Sequence, residues 1–187
     1  MYRGNNVTAL QSQRWLRDAL IDLMNEKAYP SITIADICKH ADLSRQTFYN
    51  VFDNKDEVIR FCLRENYEKQ FRMLENQETL SVKEMVDAFI SVLNENKMLL
   101  NDIVNNNLEN LLADELTQCI TLFAGKFVRK EQQDELFPYS EIMLSGALGQ
   151  LLVYWIRQDN PISTKKMAIL ITNFLNGKLY KPTYEQL

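Results

Sequence analysis

Arg45, Gln46, Thr47, Tyr49 and Asn50 crowd into one short stretch and share one kind of chemistry. They carry a guanidinium, amides and hydroxyls, with no carboxylate among them. Guanidinium and amide groups can read base edges through paired hydrogen bonds, and hydroxyls can grip phosphates. Arg45, Gln46, Thr47 and Asn50 are therefore candidates for a DNA groove, and Tyr49 for a phosphate. Lys55 adds a cation just beyond, also suited to phosphate. Thr33 and Ser44 are cap residues whose helix N-termini can face the DNA backbone.

Short helices must position this cluster. Thr33 can cap a helix bearing Ile34, Ile37 and Cys38 on one face, with Asp36 near its positive end. Ala41-Asp42-Leu43 interrupts that pattern. Ser44 then caps a second short helix, which Phe48 and Val51 or Phe52 hold to a core. Asn54-Lys55-Asp56-Glu57 starts a third, running to about Asn76. Two short helices with a tight turn, the second polar and carboxylate-free on its outer side, suit a major groove.

Residues 33–58, TIADICKHADLSRQTFYNVFDNKDEV, resemble the DNA-binding domain of TetR-type transcriptional regulators. The resemblance covers roughly residues 8–62. It rests on the Thr-capped helix, the small turn, Ser-x-x-Thr-hydrophobic-Tyr-x-x-Phe and the Lys-Asp-Glu-hydrophobic run that follows. Where the family usually has Gly in the turn this chain has Asp42, which tolerates a left-handed backbone better than most residues. Asn50 stands where the family often has His, so base preference does not carry over. The resemblance implies an all-α fold of about nine helices, a helix-turn-helix head, a homodimer, and a palindromic double-stranded operator.

Net charge is −4 over 187 residues. Residues 1–60 hold eight Lys/Arg and eight Asp/Glu, so DNA binding needs a local basic rim. Arg3, Arg14, Arg45 and Lys55 are its candidates, with a marked salt dependence expected. Gly 5 and Pro 4 favour long helices over many hairpins. No apolar run is long enough to span a membrane, and residues 1–15 hold no secretory core. Three dispersed cysteines suit a reducing cytoplasm.

The remaining pattern is helical. Residues 7–26 carry a stripe of Leu10, Trp15, Leu16, Ala19, Leu20 and Leu23. Ser81 and Glu84 form a capping box. Leu99 to about Asn107 is a short helix or turn, Leu108–Arg129 an apolar-periodic run, and 130–138 a polar connection. Tyr139–Arg157 is apolar on nearly all sides and must be covered on nearly all sides. Asn160-Pro161 breaks it, and Ser163 caps a last helix ending at Asn176-Gly177. Both last helices could lie inside a monomer. The resemblance implies a four-helix dimer interface through Gly146, Gly149, Leu152, Met167, Leu170, Ile171 and Phe174. The division expected is a head over 1–54 and a ligand-binding and dimerisation part over 55–187. Tyr67, Phe71, Phe89, Phe123 and Met143 are candidates to bound an apolar effector cavity, although each could be plain core.

An enzyme finds little support. There is no Gly-rich phosphate loop, no metal-ligand spacing and no nucleophile elbow, and His40 is the single histidine. No cofactor or metal is expected. The expected function is a ligand-responsive DNA-binding regulator: a repressor released by a small hydrophobic effector, or an activator or interaction protein controlled by a partner protein.

Overall fold

The computed structural model describes residues 1–2, 4–74, 77, 79–127, 134–159 and 161–178. Among these it has nine α-helices and no strand. They are α1 (Val7–Glu26), α2 (Ile34–His40), α3 (Arg45–Val51), α4 (Lys55–Met73), α5 (Val82–Glu95), α6 (Lys97–Asn105), α7 (Glu109–Phe127), α8 (Phe137–Ile156) and α9 (Thr164–Leu175). A single 3-10 turn, Tyr29–Ser31, joins α1 to α2. The all-α expectation holds.

Most helix starts follow from side-chain oxygens that meet exposed amides. Asn6 accepts from the Thr8 and Ala9 amides at the start of α1. Thr33 with Asp36, and Ser81 with Glu84, form capping boxes at α2 and α5. Ser44 and Ser163 cap α3 and α9. α8 begins earlier than expected, at Phe137, because Pro138 fits a first helical turn, where no amide donor is needed. Asn107 takes φ +57° after α6, and Gly177 takes φ +66° after α9.

α1, α2 and α3 pack on one another around Leu16, Leu20, Ile37 and Phe48, none of which is accessible to solvent. Of the stripe expected on α1, Leu16, Ala19, Leu20 and Leu23 are buried and Leu10 is half-buried, but Trp15 is not part of it. Trp15 is 49% exposed, while Ser12 and Gln13 are buried. Gln13 is buried because its amide donates to the Tyr2 carbonyl at 3.1 Å, closing the N-terminal arm over the core. Beyond α3, α4 runs from the head into the rest of the molecule, packing on α1, α5 and α7. α8 lies against α7, and α9 against α5.

The last two helices differ from expectation in which residues they bury. Leu152, Met167 and Ile171 lie inside the protomer at 2–3% exposure, so they are not free for a partner. Gly149 is also buried: a Cβ there would stand 3.8 Å from Leu116 of α7. Leu170 is half-buried. Gly146 faces open space, and Phe174 is exposed. With them, Ile142, Met143 and Tyr154 of α8 and Ile169 of α9 are exposed apolar side chains among the described residues. No helix among the described residues is long and apolar enough to cross a membrane.

Candidate nucleic-acid interface

α3 is amphipathic over barely two turns. Phe48 and Val51 point inward, and Arg45, Gln46, Tyr49 and Asn50 point outward and are exposed. The Phe48 ring meets the Tyr49 ring edge-on at 5.5 Å, which helps hold the tyrosine at the surface. Asp42 supplies the turn before it with φ +53°, the left-handed conformation expected of a residue replacing glycine. The Leu43 amide closes the turn on the Cys38 carbonyl at 2.9 Å.

The cap residues are partly used up. Ser44 Oγ accepts from the Thr47 amide at 3.0 Å and lies 2.8 Å from the Thr47 hydroxyl. Thr47 is thus half-buried within the cap, less available to a groove than Gln46 or Asn50. Thr33 Oγ1 donates to Asp36 Oδ2 at 2.9 Å and accepts from the Asp36 amide. The Asp36 carboxylate is held well below its usual range by the Thr33 amide first, then by Lys27 and the Thr33 hydroxyl.

Lys55 has a different task from the one its position suggests. Its ammonium donates to the Tyr29 and Ile32 carbonyls at 2.7 and 2.9 Å and sits 4.1 Å from the centre of the Tyr29 ring. Burial lowers its pKa. In the free protein it therefore ties the α1–α2 connection to α4 instead of standing out as a rim cation. Lys55→Ala should destabilise the protein by about 1–3 kcal/mol, because two carbonyls lose a charged donor. Urea unfolding measures this. A loss of one phosphate contact in the salt dependence, with stability unchanged, would return Lys55 to the DNA.

The rest of the rim is thin. Arg14 pairs with Glu65 at 3.4 Å, and Arg17 also bonds Glu65, joining α1 to α4. Arg3 lies outside the described residues. Arg45 and Lys39 are exposed and close in sequence to the turn, and neither has an ion-pair partner among the described residues. His40 Nε2 lies 3.3 Å from Asp22 and fastens α2 to α1.

A cavity of about 520 Å³ lies behind this head. Its walls come from α4, α5, α7, α8 and α9, with Leu100 of α6. Of the expected residues, Tyr67, Phe89 and Phe123 line it. Met143 does not: it is 75% exposed, because its side of α8 faces away from α7. Phe71 is in α4, but its side chain lies outside the described residues. Sequence reasoning missed the charged group on the wall. Glu115 is 1% exposed and accepts from Arg64 at 2.8 Å and from the Tyr67 hydroxyl at 3.3 Å. Arg60 stands 3.5 Å from the same carboxylate and donates to Asp114 at 2.7 Å. The only hint was a pair of arginines one helical turn apart on α4.

Two links run from the cavity's walls to the head. One is α4 itself. The other is α6, where Asn106 at the helix end accepts from the Tyr29 amide at 2.8 Å. Tyr29 in turn hydrogen-bonds Asp56, and burial raises its phenol pKa.

The pattern described as bacterial regulatory proteins, tetR family, matches residues 16–60, which hold most of this head. The HTH-type dhaKLM operon transcriptional activator DhaS of Lactococcus lactis subsp. lactis (strain IL1403) is 33% identical over 63 residues. That stretch is 34% of this chain and 34% of the activator's length. The crystal structure of Lin0861 from Listeria innocua superposes with a TM-score of 0.77 at 18% identity, covering 95% of this chain and 96% of that one. A TetR transcriptional regulator from Streptococcus agalactiae 2603V gives 0.59 at 14% identity, covering 90% and 95%. The tetR family pattern thus falls on the head, and the chain shares its fold along its length with these solved structures.

Proposed function

We propose that the chain acts as a homodimer, reads a palindromic operator with residues 1–54, and releases it when a small apolar molecule fills the cavity within residues 55–187. Such a protein represses the genes beside its operator. The observation that carries the reading is the cavity: its walls include α4 and α6, which both also touch the head. A ligand that favours one arrangement of these helices by a few kcal/mol would be enough to shift DNA occupancy.

The dimer is proposed through the exposed residues Ile142, Met143, Gly146 and Tyr154 of α8 and Ile169 and Phe174 of α9. Arg45, Gln46 and Asn50 are assigned to base edges and Tyr49 to a phosphate, with the N-termini at Thr33 and Ser44 facing the backbone. Gln46→Ala should cost about 1–3 kcal/mol on the operator and relax preference at one base position. Parallel titrations on operator and random DNA check this. Equal losses on both would remove Gln46 from base reading.

The similarity to an activator supports activation as the alternative to repression, and a second reading adds control by a protein. In it the head is the same, and a partner protein takes the place of the small molecule. A pull-down with and without operator DNA separates the two readings.

A further inference from the structure

Among the described residues, the charged groups that line the cavity are of one sign. Among the described residues that line it there is no lysine or arginine, and there are two glutamates, Glu115 on α7 and Glu141 on α8. The other titratable groups there are neutral, since burial pushes the Tyr67 phenol and the Cys119 thiol each up to about 12. Glu115 is compensated by Arg64, which is not itself a lining residue. Glu141 is half-buried and has no hydrogen bond or ion pair among the described residues. Tyr67, Phe89 and Phe123 add aromatic rings to the same wall.

A ligand headed by a carboxylate would leave water for a site whose uncompensated charge among the described lining residues, Glu141, repels it. A cation would find an unpaired carboxylate and ring faces, both of which attract it. We propose that this cavity selects lipophilic organic cations, an ammonium on an alkyl or aryl body, over acids and alcohols of the same length. The proposal rests on the reading of the cavity as the effector site. It also gives the effector a mechanical route. A cation beside Glu115 competes with Arg64 and loosens the join between α7 and α4.

Three probes with one tail, decyltrimethylammonium, 1-decanol and decanoate, test this by calorimetry on the full chain below their aggregation concentrations. The cation should bind about tenfold or more tighter than decanoate, equivalent to about 1.4 kcal/mol, with decanol between. Glu141→Gln should cut the cation's advantage over decanol about threefold or more, in protein shown to be folded by its melting curve. Glu115→Gln offers a second, independent reduction. Decanoate binding as well as the cation, or an undiminished cation advantage in both variants, would overturn the charge assignment and leave the cavity reading in place. Failure of all three probes to bind, with DNA binding intact, would overturn both.

Discussion

Tyr154→Glu should turn the proposed dimer into a monomer of 21.9 kDa and lower operator affinity by roughly a hundredfold or more. Tyr154 is 65% exposed on α8, where Ile142 and Met143 are also exposed among the described residues. A carboxylate there costs the single chain little. Across a paired helical face it would be desolvated without a partner. Monomers must then hold two half-sites separately, and the gain from linking them disappears. Leu152→Glu is the contrasting variant. Leu152 is 3% exposed and lines the cavity, so a charge there should unfold the chain before it can separate two chains. Light scattering and circular dichroism distinguish these outcomes. A folded, dimeric Tyr154→Glu protein would move the interface elsewhere.

Removal of Arg64 should have the largest effect on stability of any single surface-proximal change. Its guanidinium lies 2.8 Å from Glu115, whose carboxylate is 1% exposed. Without it Arg60 at 3.5 Å and the Tyr67 hydroxyl are left to hold a buried charge. Breaking one side of such a pair typically costs about 3–5 kcal/mol. Arg64→Ala should therefore approach that loss in urea unfolding, reduced by whatever Arg60 recovers. Adding Glu115→Gln should restore a large part, since the residual cost arises from the stranded carboxylate. A loss under about 1 kcal/mol, or strict additivity in the double variant, would mean that the α4–α7 join is not electrostatic.

The head was legible because its signals are local. Caps, turn and recognition helix lie within 20 or so residues, and each depends on neighbours a few positions away. Even the left-handed backbone at Asp42 followed from its residue type. What was illegible required distant partners. Lys55 reads as a free cation until the Tyr29 and Ile32 carbonyls come under it. Gln13 reads as solvated until Tyr2 folds back upon it. On α8 the apolar residues surround the helix, so periodicity could not say which side meets α7 and which stays bare. Periodicity therefore does not reveal that Leu152 and Gly149 face inward. Glu115 carried no signal of its own, because its burial depends on arginines 51 and 55 positions earlier.

The central claim is that two copies of α3 read successive major grooves and that the cavity controls whether they do so. Protection mapping of the DNA beside the chain's own gene tests it most directly. The expected footprint is a pair of related half-sites about 34–36 Å apart, centre to centre, that fades when a cavity ligand is added. A single half-site, protection without sequence preference, or a paired footprint unmoved by any ligand that binds the cavity would contradict it.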